Sequence, residues 1–278
     1  MNPKVTVFTP SYNQPKYVGQ AIESVLAQTF RNFEYIISEN STDNITKKVV
    51  KSFKNTRIRY FDDEFSQEER RKFYVPAYLI NKYYPKAKGE YIIFLAHDDL
   101  LFPDCLQIMV DFLKSHPKID VCFHDQAIFY ALGSKTWLES LVRGTTQVLK
   151  RPLGPSPKDA LDGGQIMFRR YLLGKLTQPF IPLEWETANI CDKIFMEKLW
   201  QLAEFYPVKR VLSLHRVVEG STHRRRNPLK YWLYMWGAEL IPWGIQLQIA
   251  GKLGKRRIIS RNERAAIEKF LLMVRIAY

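Results

Sequence analysis

The sequence predicts an α/β fold in which a mixed, mostly parallel β-sheet is flanked by helices and followed by a basic helical appendage at the C-terminus. Short β-branched runs alternate with amphipathic stretches between residues 4 and 96, which is typical of strand-helix-strand units. The chain has 278 residues, of which 46% are hydrophobic, enough apolar material for one large packed domain. After Gly220 the composition changes, and arginines and aromatic side chains become frequent.

The first third of the chain carries the clearest pattern. The runs KVTVFT and FEYIIS are separated by an amphipathic stretch, and together they predict a β-α-β unit. The apolar residues of that stretch recur at helical spacings and form one stripe against the sheet: Val18, Ala21, Ile22, Val25 and Leu26. The predicted strands are residues 4–9, 33–38, 57–61 and 91–96, and the predicted helices are residues 18–28 and 77–84. This alternation favours parallel strands covered by helices.

The rest of the chain is less regular. Residues 131–163 contain scattered glycines and prolines with weak periodicity, so we expect a long loop of the kind that forms binding loops or lids. The other predicted elements are helices over residues 104–115, 192–205 and 262–277 and strands over residues 120–124 and 208–218.

Polar residues follow three of the predicted strands. Residues 10–13 (PSYN) follow the first strand, residues 39–43 (ENSTD) the second and residues 97–99 (HDD) the fourth. Ligands bind outside the carboxyl ends of the strands in sheets of this type, so we expect these segments to line one crevice. The adjacent carboxylates Asp98 and Asp99 could hold Mg²⁺ or Mn²⁺ together with phosphate oxygens, or they could simply end the strand and cap the next helix.

Four segments together resemble the family 2 inverting glycosyltransferases, which have the GT-A fold, a Rossmann-like α/β architecture. The segments are VTVFTPSYN at 5–13, YVGQAIESVLAQTFRNFEYIIS at 17–38, ENSTD at 39–43 and GEYIIFLAHDDLLFPD at 89–104. The resemblance is good from residue 3 to about 124 and traceable to about residue 223. It implies a catalytic domain over residues 1–223 and leaves residues 224–278 as a basic, aromatic, helical extension.

The resemblance implies a set of nucleotide-binding residues at these strand ends: Thr9, Pro10, Tyr12, Glu39, Arg70 and Asp98. The first three match the turn that packs around the base and ribose. Glu39 falls where the family has an aspartate that reads the base, although Asn40 fits the same pattern one position later. Arg70 matches a basic residue near the base, with Arg71 and Lys72 as alternatives.

The resemblance also implies a site for Mn²⁺ or Mg²⁺. Asp99 is the favoured metal ligand, and Asp98 lies near the ribose or the metal. His223 matches a histidine that reaches the pyrophosphate or the metal in some members. Ala96 replaces the first aspartate of the usual motif, so the expected metal site has fewer ligands than the common pattern.

Asp192 matches the carboxylate that acts as the catalytic base in the family. Cys191 precedes it where glutamate is common, and Glu184 and Glu186 are the alternative bases. An inverting transfer needs a carboxylate that accepts the proton of the acceptor hydroxyl while that oxygen attacks the sugar. An acid in the first turn of a helix also interacts favourably with the helix dipole, so a purely structural role for Asp192 stays open.

The resemblance therefore implies an enzyme that moves a sugar from a nucleoside-diphosphate sugar, with a UDP-sugar favoured, to a hydroxyl of a glycan or lipid-linked saccharide. Two other classes stay open. A net charge of +14 suits a module that binds nucleic acid or an anionic membrane without catalysis, although nucleic-acid binding does not need the Asp98-Asp99 pair and we expect no nucleic-acid partner. A sugar nucleotidyltransferase should have a glycine-rich loop after its first strand, where TPSYNQ has no glycine.

Composition also bears on location. The three cysteines have no close spacing, and the N-terminus lacks the regions of a secretory signal, so we expect a reducing, cytoplasmic location. The aromatic and basic residues of 224–278 suit a peripheral seat on the inner face of the cell membrane. They suit packing on the catalytic domain or contact within a homo-oligomer as well.

Overall fold

The computed structural model describes residues 2–72, 74–132, 135–138, 141–151, 156–157, 161–176, 191–218 and 256–274 of the chain. Within these residues, eleven strands form a single sheet flanked by helices. The strands are β1 (Val5–Ser11), β2 (Phe33–Glu39), β3 (Ile58–Asp62), β4 (Tyr91–Phe94), β5 (Leu100–Leu101), β6 (Val121–Leu132), β7 (Lys135–Leu138), β8 (Leu141–Arg143), β9 (Ile166–Arg169), β10 (Phe205–Val218) and β11 (Arg256–Ile258). The helices are α1 (Pro15–Leu26), α2 (Asn44–Ser52), α3 (Gln67–Lys72), α4 (Val75–Tyr83), α5 (Cys105–Ser115), α6 (Cys191–Leu202) and α7 (Arg261–Met273). Short 3₁₀ turns lie at Tyr84–Lys86, Gly163–Gln165 and Arg170–Lys175.

The N-terminal half of the sheet is parallel, with the strand order β4-β1-β2-β3. Val5 to Phe8 of β1 pair with both neighbouring strands, whereas Pro10 and Ser11 pair with β2 alone. Proline lacks an N–H group, and Pro10 is tolerated here because β4 has already ended at Phe94. The carboxyl end of β1 is therefore open on the β4 side.

The C-terminal half of the sheet is mixed. β9 runs antiparallel between β4 and β6, and β10 lies parallel to β6 while pairing antiparallel with β5. β7 and β8 pair antiparallel with β6, and β11 pairs antiparallel with β8. The predicted mixed α/β sheet with flanking helices is confirmed.

Apolar layers cover both faces of the sheet. Side chains alternate along a strand, so Val7 and Phe8 of β1 point to opposite faces. Phe8 and Phe94 pack with α4 and α6 on one face, and Val7 and Ile37 pack with α1 and α5 on the other. The sheet thus holds its polar strand ends above a buried two-sided core.

Two regions differ from the predictions. The segment 131–163, expected to be a long loop, carries β7 and β8, which are too short to show a pattern of their own but gain ladder hydrogen bonds from β6. β6 is longer than the predicted strand over 120–124, because its buried polar residues His124, Asp125 and Gln126 interrupt the apolar run in the sequence.

Part of the C-terminal extension packs on the main fold. β11 adds an edge strand to the sheet, and α7 buries Ile267, Phe270 and Leu271 in a cluster shared with β10. The aromatic stretch of the extension lies outside the described residues, and the domain boundary at residue 223 stays a prediction. Among the helices that the structure describes, none has the length and hydropathy needed to cross a bilayer.

Candidate active site

The predicted nucleotide-binding residues at the ends of β1 and β2 lie together. Arg70 of α3 stacks its guanidinium over the ring of Tyr12, 4.5 Å from the ring centroid. Its Nη1 donates to Oδ1 of Asn40 at 2.8 Å, and its Nη2 donates to the Asn40 carbonyl oxygen. Arg71 and Lys72 are exposed. The structure therefore brings Arg70, and not its two neighbours, onto the loop that follows β2.

Glu39 is fully buried at the end of β2. Its Oε1 accepts the Ser41 N–H at 2.6 Å, whereas its Oε2 has no hydrogen-bond partner among the described residues. The hydroxyl of Ser11, the residue paired with Glu39 in the ladder, is buried without a described partner as well. Thr9 is satisfied, since its hydroxyl accepts from the Tyr35 hydroxyl at 3.0 Å. A buried carboxylate oxygen without a donor is costly, so this strand end suits a ligand that supplies an N–H or O–H group.

Asn13 fixes the loop after β1 to the loop after β2. Its φ of +45° lies in the left-handed region, which asparagine tolerates better than most residues. Its N–H donates to the Ser41 hydroxyl at 2.7 Å, and its side-chain oxygen accepts the Thr42 N–H at 2.9 Å. These bonds hold the loop that carries Tyr12 beside the loop that follows Glu39.

The two carboxylates after β4 have different surroundings. Asp99 is buried, where one oxygen accepts the N–H of Arg216 at 2.9 Å and the carboxylate lies 3.2 Å from Nδ1 of His215. Asp98 is half-buried. Burial raises the pKa of the Asp98 carboxyl, and Asp99 raises it further against an opposing effect of His97. Asp98 is therefore the more accessible member of the predicted metal-binding pair.

A buried arginine faces this pair from β10. Arg216 is 1% exposed, and its guanidinium lies 4.6 Å from the ring centroid of Tyr17. Its Nη1 and Nη2 have no hydrogen-bond partner among the described residues. Burial lowers the pKa of Arg216, and the charges of Asp98 and Asp99 oppose that effect. The free N–H groups of a guanidinium are suited to binding an anion such as a phosphate.

Asp192 lies in the first turn of α6, packed against the turn at Gly163. A Cβ built on Gly163 would lie 3.5 Å from the Asp192 Cβ. Burial raises the pKa of Asp192 to about 6, and the Asp162 carboxylate acts in the same direction. The pKa of Tyr74, just before α4, is raised by burial and then by nearby negative charges that include Asp192, Asp98 and Asp162. The predicted base and Asp98 therefore lie around the same tyrosine.

Three predicted residues lie outside the described part of the chain: His223, Glu184 and Glu186. Within the described part there is no cluster of three His, Cys, Asp or Glu side chains arranged for a metal ion. Asp98 beside Asp99 is a small donor set, which fits Mg²⁺ or Mn²⁺ because Mg²⁺, in particular, takes most of its oxygen ligands from phosphate and water. Burial, and to a smaller extent Asp99, raise the pKa of Asp98, and a cation bound there would favour the charged carboxylate.

The structure adds residues to the site that the sequence analysis missed: Tyr74, Arg143, Asp162, His215 and Arg216. His215 and Arg216 had a signal, because they interrupt the apolar run VLSLHRVV of a predicted strand, and buried charged residues usually have a specific partner. The others had none, since they lie in segments without periodicity.

The fold and the site define an α/β protein with polar side chains at the carboxyl ends of its parallel strands, where proteins of this fold class bind ligands. Residues 6–177, more than half of the chain, match the sequence profile of Glycosyl transferase family 2. The protein belongs to this family.

Three known proteins show how far the similarity extends. Protein CgeD of Bacillus subtilis (strain 168) is 29% identical over 218 residues, which cover 77% of this chain and 50% of that protein. The crystal structure of S. aureus TarS 1–349 in complex with UDP matches with a TM-score of 0.59 and 19% identity, over 77% of this chain and 60% of that one. Mannosyltransferase PcManGT from Pyrobaculum calidifontis, in complex with GDP-Man and Mn²⁺, matches with a TM-score of 0.53 and 16% identity, over 81% of this chain and 60% of that one. The chain thus spans half to three fifths of these proteins, and the expected GT-A fold is confirmed.

Proposed function

We propose that the protein is an inverting glycosyltransferase that moves a sugar from a UDP-sugar to a hydroxyl of a glycan or lipid-linked saccharide. One observation carries the proposal. The turn Gly163–Gln165 packs both against Asp192, the predicted base, and against the carbonyl oxygen of Phe94, at the end of the strand that leads to Asp98. A donor bound at the ends of β1 and β2 would place its diphosphate near Asp98 and its sugar toward Asp192.

The pocket at the end of β2 supports uracil as the base. Uracil has an imide N–H that could donate to the free Oε2 of Glu39, and carbonyl oxygens that could accept from Nε of Arg70, which has no described partner. Cytosine lacks that imide N–H, but its amino group also donates to carboxylates, so the preference for uracil over cytosine rests on the likeness to TarS. Guanine also offers N–H groups, but UDP is the ligand of TarS, which has the higher TM-score of the two solved structures above.

Positive charge near Asp98, from a bound metal ion and from Arg216, would favour binding of a diphosphate. A Mn²⁺ or Mg²⁺ ion held by Asp98, with Asp99 and His223 as the other predicted ligands, would neutralise charge on the leaving diphosphate. The unpaired N–H groups of Arg216 offer a cation from the chain itself at the same place.

Asp192 is the proposed base. Its carboxylate takes the proton of the acceptor hydroxyl while the acceptor oxygen forms a bond to the anomeric carbon on the face opposite the diphosphate. The bond from that carbon to the phosphate oxygen breaks, the nucleoside diphosphate leaves with the electron pair, and the configuration inverts. With a pKa of about 6, Asp192 is mostly ionised at pH 7 and is more basic than an ordinary aspartate.

Peripheral attachment to the inner face of the cell membrane is proposed for a lipid-linked acceptor. The net charge of +14 and the cluster Arg224, Arg225 and Arg226 support it. Deleting 224–278 would be an unsuitable test, because it removes β11 and the buried face of α7. Co-sedimentation with anionic vesicles is a better test. The bound fraction should fall as salt is added, and it should also fall when the three arginines are changed to glutamine. A protein that stays in the supernatant at low salt would contradict the attachment.

Thermal melting with UDP, GDP, CDP and TDP, each with and without Mn²⁺, tests the donor site. A nucleotide that binds only the native protein raises its melting temperature, and we expect the largest rise with UDP and Mn²⁺. Transfer from UDP-sugars, with the anomeric configuration of the product read by NMR, tests the reaction. No rise with any of the four nucleotides would contradict the proposal.

Adjacent arginines provide a matched control for the base pocket. Arg70→Ala removes the guanidinium that stacks on Tyr12 and should abolish most of the UDP-dependent rise. Arg71→Ala removes an exposed arginine from the same helix and should leave the rise unchanged.

A further inference from the structure

A second carboxylate stands beside the proposed base. Asp162 caps the turn Gly163–Gln165: its Oδ1 accepts the Gly164 N–H at 3.1 Å, and the Gln165 side chain accepts the Asp162 N–H at 2.8 Å. This reciprocal pair of bonds fixes the Asp162 backbone and its side chain together.

Arg143 of β8 holds the other oxygen of this carboxylate. Its Nη1 lies 2.7 Å from Oδ2 of Asp162 and donates to Oε1 of Gln126 at 3.2 Å. The Gln165 side chain ties the turn to the sheet by donating to the carbonyl oxygens of Arg143 at 3.0 Å and His124 at 2.7 Å. The position of the Asp162 charge is therefore set by strands β6 and β8.

The same turn packs against the start of α6. A Cβ built on Gly163 would lie 3.5 Å from the Asp192 Cβ, and a Cβ built on Gly164 would lie 3.7 Å from the Phe94 carbonyl oxygen at the end of β4. Asp162 is thereby placed between the strand that precedes Asp98 and the helix that carries Asp192.

Charged groups of its own helix, of β8 and of the capped turn lie near Asp192. Burial has the largest effect on its pKa, and the Asp162 carboxylate raises it further. Lys193 on its own helix and Arg143 on β8 lower it. The titratable neighbours in the described part of the chain include the Cys191 thiol on α6 and the Tyr74 phenol before α4, both kept neutral at pH 7 by burial. His215 on β10 also faces Asp162 and Arg143; burial lowers its pKa, and Asp99 and Asp162 raise it.

We propose that Asp162 is a positioning residue for the base, whose fixed negative charge makes Asp192 a stronger proton acceptor than an isolated carboxylate would be. When Asp192 takes the proton of the acceptor hydroxyl, the repulsion between the two carboxylates disappears, which favours the transfer. Arg143 limits that repulsion, so that Asp192 still ionises at neutral pH. The inference rests on the proposed function, since it assigns Asp162 to the same reaction.

The pH dependence of turnover in Asp162→Asn tests this role. Asparagine caps a turn about as well as aspartate and can keep the bond from Gly164, so the substitution removes the negative charge and, with it, the ion pair to Arg143. The acid limb of the kcat profile, where the rate falls at low pH, should shift to lower pH by about one unit, because Asp192 loses a neighbouring negative charge. The rate at pH 5 relative to pH 8 should then rise from about one tenth to about one half, given a starting pKa of about 6. The rate at pH 8 should fall, since a weaker base accepts the proton less readily.

Two further variants test the charge itself. Asp162→Glu keeps the negative charge and should restore the acid limb toward its original position. Arg143→Gln removes the cation that lowers the pKa of Asp192, so it should move the limb to higher pH. Asp111→Asn, an exposed carboxylate on α5, is the matched control and should leave the profile unchanged.

The outcomes separate this inference from the function on which it rests. Suppose that the protein transfers sugar and that the acid limb of the kcat profile is the same in Asp162→Asn as in the unsubstituted protein. That result would overturn the role of Asp162 and leave the proposed function standing. If Asp162→Asn melts early, an unmoved limb in Arg143→Gln overturns that role in the same way. A chain that transfers sugar from none of the UDP-, GDP-, CDP- or TDP-sugars overturns the proposed function, and the role of Asp162 with it.

Discussion

At the scale of single residues, Asp192 carries the proposed proton transfer. Asp192→Asn keeps the size of the side chain but removes its ability to accept a proton. We expect turnover to fall by about a hundredfold or more while the UDP-dependent rise in melting temperature is retained. Steady-state kinetics and thermal melting of the same preparation measure both quantities.

A matched control for this substitution lies just beyond the same helix. Glu204 is exposed and accepts a hydrogen bond from the Tyr206 hydroxyl, so Glu204→Gln should retain normal turnover. Near-normal turnover of Asp192→Asn would instead move the role of base to Glu184 or Glu186, the alternatives in the sequence.

Tyr12, Glu39 and Asp98 could be predicted because they lie at or just after the ends of regular strands, whereas Arg70 and Asp192 lie on helices and were predicted from the family resemblance alone. Tyr12, Glu39 and Arg70 were predicted from motifs, and the structure brings Tyr12 and Arg70 into contact beside Glu39. Asp162 was not predicted, because it lies in a segment without periodicity. Arg216 interrupts the apolar run of a predicted strand, but its neighbour Asp99 is distant in the chain, so its role could not be predicted. A contact such as that between Arg216 and Asp99, 117 positions apart, leaves no local pattern in a single sequence.

At the scale of elements, the carboxylates after β4 should respond differently to substitution because, of the two, it is Asp99 that accepts the described backbone hydrogen bond from β10. Asp99→Ala leaves the buried Arg216 N–H without an acceptor, so we expect the free energy of unfolding to fall by about 1–3 kcal/mol. Asp98→Asn should keep nearly the original stability but lose the Mn²⁺-dependent part of the rise in melting temperature with UDP. Urea denaturation and thermal melting distinguish the two.

This expectation differs from the one that the sequence alone supports. A carboxylate at a strand end contributes little packing, so Asp99→Ala would be expected to leave the fold unaffected. The structure changes the expectation, because β10 pairs with β5 directly after Asp99 and brings His215 and Arg216 against it. Equal stability of Asp98→Asn and Asp99→Ala would contradict the structural account.

The elements predicted correctly are those with long apolar runs. β1, β2 and β4 follow the pattern closely, since they are buried on both faces. β9 was missed because its four residues gain stability from antiparallel pairing with β4 and β6 rather than from an internal pattern. α2 was missed because it has few apolar residues, although its cap was visible: Asp43 accepts the Thr46 N–H at 2.6 Å.

At the scale of the whole molecule, α7 belongs to the hydrophobic core. Phe270 is buried and packs edge-on against Phe102, with ring centroids 4.9 Å apart. Phe270→Ala should therefore lower the free energy of unfolding by about 3 kcal/mol, as expected for a large-to-small change in a core. Leu272 on the same helix is 70% exposed, and Leu272→Ala should change stability by less than about 0.5 kcal/mol. Equal effects of the two substitutions in urea denaturation would show that α7 is not part of the cooperative fold.

The bond between Asp99 and β10 also sets an order for assembly during translation. Synthesis proceeds from the N-terminus, and chains tend to fold in that order. The base pocket is built from sequence-local units that are complete by β4, at residues 91–94. Asp99 obtains its backbone donor only when Arg216, 117 residues later, has left the ribosome. We therefore expect a nascent chain to form its base pocket first and to gain tight affinity for the diphosphate only after β10 has emerged.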